Sequence, residues 1–461
     1  MTIFVTVITI ICIAALVYAV IAGYGGLVRL ISSLLHISNY AETLHNSPHQ
    51  RSAADDAVPI SLILPDCDVD IHVARTVLGL LELEYPEYEV IAICNRARSN
   101  SLDRLLRAFE MVKVEQPIRK VLPMEEVRGV YRSARRPNLI VIDKSGSEYS
   151  DALNAGVNVS RYPLFVTLVA GSVLPKNQLE KVAAPFALSH KVVALGGLPR
   201  MRSTSRRPQG VLGWLQQADF LRSYPADFAI PEDNRLRLIP GAYGAFRKSA
   251  VIAEGGFTPG CEETEMVAKL HRKLNEAGKE HAIELLPEPI ADTPAVSKFS
   301  GFIKSHRRWQ AALMQALWDG QNTSRSAKEI RGSALDRPYY WFFEVAGPVI
   351  ELLGCILVPV SFALGWVSAP LFWAYIITEV FLGMLVSLAS LLTQEIIDSD
   401  RPSFSRLCKL ILAAIAGNIG YRQLVLLLRL IGMIDAGAKK PPPPPPKVRV
   451  KTLKRQKSTT A

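Results

Sequence analysis

NLIVIDKSGSEYSDALNAGVNVSRYPLFVTLVA, the stretch from Asn138 to Ala170, decides the fold. Asn138 to Asp143 is a short apolar run closing on an acid, the pattern of a buried strand. Ser150 to Val159 carries its apolar residues at helical spacing, and Leu164 to Ala170 is apolar again. Strand, helix and strand at these lengths predict a parallel crossover unit.

Working outward, the same alternation continues in both directions. Val58 to Leu64 predicts a buried strand ending at Pro65, and Val73 to Leu83 a helix. The turn Tyr85-Pro86-Glu87 then leads into a strand at Tyr88 to Cys94, followed by a helix over Leu102 to Phe109. Val192 to Leu195 and Ala242 to Phe246 add strands on the C-terminal side. The expected fold class is α/β, a mostly parallel sheet with helices on both faces.

The flanks are apolar. Ile3 to Ala22 has no charge and is long enough to cross roughly 30 Å of hydrocarbon as a helix. No Lys or Arg precedes it and Arg29 follows it, which predicts an uncleaved anchor with its N-terminus outside and the bulk of the chain cytoplasmic. Phe342 to Trp366 and Leu371 to Leu392 predict a hairpin of two spans. Their acids Glu344, Glu351 and Glu379 are expected to face a neighbouring helix or a polar cavity. Leu407 to Met433 carries Lys409, Arg422 and Arg429, and is expected to be interfacial or re-entrant, because crossing would place a cationic tail outside.

That tail, Lys439 to Ala461, holds six consecutive prolines and eight Lys or Arg without an acid, leaving only +3 of the net +11 for the rest. The basic balance therefore describes an extension, predicted to be disordered, and not a nucleic-acid-binding surface. The six cysteines are scattered with no paired spacing, which argues against a disulfide framework or a zinc cluster. The expected division is an anchor at 1–32, a linker at 33–57, a cytoplasmic domain at 58–335, a hairpin at 336–394, an interfacial or re-entrant region at 395–438, and the tail at 439–461.

Several stretches resemble the membrane-bound family 2 glycosyltransferases, the group of cellulose, hyaluronan and poly-N-acetylglucosamine synthases. Ser61-Leu62-Ile63-Leu64-Pro65 looks like that family's opening strand, and Leu83 to Ile91 like the approach to its second. Asp151-Ala152-Leu153-Asn154-Ala155-Gly156 matches its D-A-L-N-A-G helix, and Arg307-Arg308-Trp309 falls where its Q-x-x-R-W motif belongs. The resemblance implies a GT-A-like domain that binds a nucleotide sugar and a divalent metal at the carboxyl ends of the strands.

The positions expected to carry that chemistry depart from the family. After Pro65 its Y-N-E is Cys67-Asp68-Val69, and its N-D-G-S is Cys94-Asn95-Arg96-Ala97, so Asp68 and Asn95 are left as nucleotide-site candidates beside Asp151. The lysine that precedes the D-A-L-N-A-G helix is replaced by Tyr149. The two aspartates of the D-x-D pair fall on Val169 and Gly171, neither of which can ligate a cation through its side chain. Glu263, in Cys261-Glu262-Glu263-Thr264-Glu265, stands at the base position, where an acid also suits the first turn of a helix regardless of catalysis. Arg308 and Trp309 survive as a phosphate-pairing and a sugar-stacking candidate, or equally as a membrane-interface anchor, and His306 is expected at the surface.

These substitutions favour a glycosyltransferase-like membrane protein of polysaccharide synthesis that has lost metal-dependent transfer and serves as a partner or regulator. Expected partners are membrane lipids, other synthesis proteins and a nucleotide sugar, with no nucleic acid. No cofactor is expected, Mg²⁺ or Mn²⁺ entering only if transfer persists, and the expected location is the plasma membrane. One alternative is an active transferase that neutralises diphosphate with Arg96, Arg200, Arg202, Arg307 and Arg308. The other is a tether presenting the Pro/Lys tail.

Overall fold

The computed structural model describes residues 2–46, 57–69, 73–95, 99–115, 117–146, 148–201, 210–228, 243–258, 263–293, 299–319, 340–397 and 404–438. A nine-stranded sheet organises residues 60–293. Its strands are β1 (Ile60–Leu64), β2 (Tyr88–Cys94), β3 (Met111–Val114), β4 (Val127–Ser133), β5 (Leu139–Lys144), β6 (Leu164–Thr167), β7 (Val192–Met201), β8 (Gly244–Arg247) and β9 (Ala282–Thr293). Their order is β3-β4-β5-β2-β1-β6-β8-β7-β9. The central four, β5-β2-β1-β6, are parallel, with Ile60 opposite both Tyr88 and Leu164 and with Val90 opposite Leu139. Antiparallel pairs border this centre on either side, and β7 pairs parallel with β9 at the far edge.

The parallel strands read as continuous apolar runs because both of their faces are covered. Ile60, Leu62 and Leu64 pack with α2 (Val73–Leu80), α3 (Ser101–Ala108) and α5 (Gln178–Leu188). Ile63, Ile91, Ile93, Ile140 and Ile142 pack on the other side with α4 (Tyr149–Val159), α7 (Lys248–Ala253) and α8 (Glu263–Glu276). The period-two alternation of strand side chains thus builds two cores from one sheet. Some predicted elements come out shorter: β6 stops at Thr167 instead of Ala170, α2 stops at Leu80 instead of Leu83, and β1 begins at Ile60 instead of Val58.

Among the described residues, four helices are long and apolar enough to cross a membrane: Ile3–Leu35, Trp341–Ala363, Ala369–Thr393 and Phe404–Gly437. The first belongs to α1 (Thr2–Asn46), which stays helical well past the expected end of the anchor and through much of the expected linker. Two longer helices link the sheet domain to this bundle, α6 (Val211–Phe228) and α9 (Phe299–Asp319). The remaining elements are α10 (Gly347–Ala363), α11 (Ala369–Ile377), α12 (Gly383–Ile397), α13 (Phe404–Ala416) and α14 (Arg422–Ala438). Between α13 and α14 the helix breaks at Ile419 and Gly420, and Gly420 takes a φ of +85°, a conformation for which glycine is the least strained residue. α13 packs on α6 and α14 on α9, so both halves of this last apolar stretch lie against the two linking helices.

The acids inside the apolar stretches are matched, as their placement requires. Arg422 reaches Glu351 at 2.6 Å and Glu379 at 3.0 Å, while Arg429 pairs with Glu344.

Candidate donor site

The carboxyl ends of β1, β2, β5 and β6 bring Pro65, Asn95, Asp143 and the Val169–Gly171 loop to one edge of the sheet, the edge where open α/β sheets bind ligands. The buried Pro65 closes β1. Asp68, two residues beyond Asp66, accepts the Asn95 backbone N–H at 2.9 Å and the Ser99 hydroxyl at 2.6 Å. Asn95 donates its side-chain amide to the Gly146 carbonyl at 2.7 Å, and its amide oxygen accepts a longer bond from Arg128. Both residues therefore tie neighbouring loops together. Val69 lies in a short 3₁₀ turn, and Arg96 falls outside the described residues.

The matched D-A-L-N-A-G helix has a structural account. Asp151 accepts the Glu125 backbone N–H at 2.7 Å and pairs with the buried Lys144. Asn154, also buried, donates to the Pro123 and Phe257 carbonyls at 3.0 and 2.8 Å and accepts the Phe257 N–H at 2.8 Å. Gly156 lies against β1 so closely that a Cβ there would come within 2.5 Å of Ile63. Every distinctive residue of the motif holds loops or strands in place, so the fold needs it whether or not a sugar nucleotide is bound.

Val169 is 37 % exposed and Gly171 has a φ of +90°, backbone that an aspartate would adopt only with strain. Ser172, next in the loop, shares a 2.5 Å hydroxyl contact with Tyr243, whose own hydroxyl burial pushes up to about 12. Across from this loop, Arg200 reaches Asp292 at 2.6 Å, and the Asp292 backbone bonds with Val173 in both directions. The donor set does not fit a divalent cation. Val169 and Gly171 offer no side-chain ligand, Asp292 is held by a guanidinium, and among the described residues no three His, Cys, Asp or Glu side chains converge.

Glu263, almost wholly buried at the start of α8, accepts a hydrogen bond from the Tyr149 hydroxyl at 2.7 Å. The Arg308 guanidinium lies 5.7 Å from the centre of the Tyr149 ring. Three positions far apart in sequence, Tyr149, Glu263 and Arg308, are thus brought together. Trp309 turns the other way, its ring 5.3 Å from the Arg429 guanidinium in α14, and Arg307 grips Asp435 with bonds of 2.8 and 2.9 Å. The expectation of a surface His306 is corrected: it is half-buried with its ring 4.3 Å from Phe302, and burial pushes its pKa down. Of the five arginines named as substitutes for metal, Arg200 and Arg307 are paired with carboxylates, Arg308 sits on Tyr149, and Arg96 and Arg202 lie outside the described residues.

Sequence reasoning missed Asp143 and Lys144. Asp143, the penultimate residue of β5, is buried and 3.9 Å from Arg128, and the buried Lys144 ends the strand. The acid closing the apolar run Leu139 to Ile142 was the available signal.

No protein-family model matches the sequence, and no curated protein matches it. Among solved structures, the mannosyltransferase PcManGT from Pyrobaculum calidifontis, in complex with GDP-Man and Mn²⁺, is similar over 92% of this chain and 100% of that one, with a TM-score of 0.51 at 13% identity. TarS residues 1–349 from S. aureus in complex with UDP-GlcNAc covers 79% of this chain and 92% of its own, with a TM-score of 0.35 at 12% identity. The fold is a glycosyltransferase fold. It is joined here to four helices of membrane-crossing length and composition.

Proposed function

We propose that this chain is a family 2-like membrane glycosyltransferase homologue of polysaccharide synthesis whose donor site is no longer built for metal-dependent transfer, and that it acts as a partner or regulator of an assembly. The observation that carries this reading is the loop after β6, where an exposed Val169 and a left-handed Gly171, the positions the sequence resemblance assigns to the metal-binding pair, offer no side-chain ligand. Loss of the cation removes an interaction commonly worth several kcal/mol to a departing diphosphate. The sheet domain is assigned to the cytoplasmic side of the plasma membrane. The packing of α13 on α6 and of α14 on α9 supports a tail that leaves on the domain's own side.

Calorimetry of the purified full chain with UDP and with GDP-mannose, each with and without Mn²⁺, tests the donor site. The expected result is no metal-dependent heat. A metal-enhanced affinity in the micromolar range, about −8 kcal/mol, would sink the proposal.

Glu263 supplies an independent check. Its hydrogen bond from Tyr149 makes it a buried acceptor, and Glu263→Gln preserves shape. In cells making the polymer, that substitution at matched protein level is expected to leave yield unchanged. A fall of about 10² or more, the scale of a lost general base, would restore an active transferase.

A further inference from the structure

Cys67 and Cys94 are free thiols that the fold brings together. β1 and β2 are parallel neighbours with Leu64 opposite Ala92, so the turn after β1 runs beside the end of β2. The residues that follow the two cysteines are already joined there, the Asp68 carboxylate accepting the Asn95 backbone N–H at 2.9 Å. Both side chains enter the core on the α2 and α3 side of the sheet, Cys67 0% and Cys94 1% exposed. Sulfur meets sulfur in that space. The Cys67 thiol donates to the Leu64 carbonyl at 3.6 Å, and a hydrogen bond between Cys94 and Cys67, together with burial, holds the Cys94 thiol well above its ordinary pKa.

Neighbouring strands lie about 4.8 Å apart, inside the span of about 4.4–6.8 Å that a disulfide allows between α-carbons, so closing one here does not require β1 and β2 to separate. We propose that Cys67 and Cys94 form a reversible disulfide, with a small hydroperoxide as oxidant, that fastens the turn after β1 to the end of β2. Cys94 keeps its proton, so Cys67 takes the first step. Its sulfur, having released its proton, attacks the peroxide: an S–O bond forms, the O–O bond breaks and water leaves. The Cys94 sulfur then displaces hydroxide from the Cys67 sulfenic acid, forming the S–S bond, and the hydroxide takes the Cys94 proton to become a second water. Two thiols lose two electrons and two protons, and the peroxide gains both.

Burial selects the oxidant. A single buried cysteine is inert, but a second sulfur in contact resolves the first as soon as it is oxidised. The closed pair excludes bulky reagents, whereas a peroxide little larger than water needs only a local opening of the strand ends. On the cytoplasmic side proposed above for the sheet domain, the dithiol is the resting state and the disulfide a transient response. The bond itself does not depend on that orientation, nor on whether sugar is transferred. It would stiffen the edge that carries Asp68 and Asn95 from below, without occupying it.

The test uses the purified full chain in neutral detergent, treated with hydrogen peroxide, denatured in N-ethylmaleimide and cut with trypsin. Cleavage after Arg75 and Arg96 places the two cysteines in separate peptides. Mass spectrometry is expected to find those peptides joined with the mass of two hydrogens lost, and parted again by a phosphine reductant. The linked protein should also unfold at a higher temperature than the reduced protein, and peroxide should not raise the midpoint of Cys94→Ser. Three results would each overturn the proposal: a pair that stays reduced while the less buried Cys355 and Cys408 oxidise, a pair that ends as sulfinic acids without a link, or a link that leaves the midpoint unchanged. The mapping and the midpoint comparison are made on the wild type, so they decide even if Cys94→Ser does not fold.

Discussion

Arg422→Ala is expected to leave little folded protein in the membrane. One guanidinium there satisfies Glu351 of α10 at 2.6 Å and Glu379, just before α12, at 3.0 Å, with the three side chains 15, 12 and 10 % exposed. Removing it strands two carboxylates among apolar helices, and breaking even one buried pair costs about 3–5 kcal/mol. Folded proteins have only about 5–15 kcal/mol in hand, so the loss is a large fraction of the whole. By contrast, breaking the exposed Lys176–Glu84 pair should cost about 1 kcal/mol or less. The yield of monodisperse protein in detergent and its thermal midpoint measure the effect. Arg422→Ala behaving as the wild type would mean that the three charges are not coupled as described. Replacing Arg422, Glu351 and Glu379 together by leucine or glutamine should recover much of the loss, because none of the three is then left charged without its partners.

Asn154→Leu is the second large effect, and it falls in the Asp151-Ala152-Leu153-Asn154-Ala155-Gly156 helix. The side chain is of similar size, but three hydrogen bonds disappear, leaving the Pro123 and Phe257 carbonyls and the Phe257 N–H to find other partners in the interior. Each buried group left unsatisfied costs about 1–3 kcal/mol, so a loss of at least about 3 kcal/mol is expected. Chemical denaturation of the full chain, followed by tryptophan fluorescence, reads this directly. A midpoint unchanged by Asn154→Leu would show that the asparagine does not brace these loops, and a ligand-binding explanation for the motif would have to return. Asn154→Asp separates the roles further: it keeps the acceptor for the Phe257 N–H but loses both donated bonds, so it should be nearly as destabilising.

The central strands were legible because each is buried on both faces. Val58 to Leu64, Tyr88 to Cys94 and Asn138 to Asp143 contain little but apolar residues, and the structure places strands at all three. β9 was hidden by Pro287 and Pro289, which argue against a strand in a sheet interior but are tolerated at an edge, where β9 lies. β3 and β4 form the opposite margin, and the exposed Val112 shows why their pattern was weak. At the site, that Val169 and Gly171 offer no side-chain ligand could be read from residue type alone. The roles of Asp68 and Asn95 could not, since their partners Ser99 and Gly146 are recognisable only once β1, β2 and β5 end side by side. Nor could the Tyr149–Glu263 bond be read, since it depends on α4 meeting α8 across more than a hundred residues of chain.

α9 carries two consecutive arginines with opposite allegiances. Arg308 rests on Tyr149 beside Glu263, whereas Arg307 is clamped to Asp435 of α14. Nor is that clamp loose, because a Cβ at Gly432 would lie 2.7 Å from the Arg307 carbonyl oxygen, so the two helices meet almost backbone to backbone. In mechanical terms α9 is a crank between the bilayer and the sheet edge. A tilt of α14, whether from bilayer thickness or from a neighbour pressing on the bundle, must either carry Arg308 along or break the Arg307–Asp435 clamp. The polar cluster around Glu263 is therefore geared to the membrane, and detergent-extracted protein need not present it in the same posture as protein under lateral pressure.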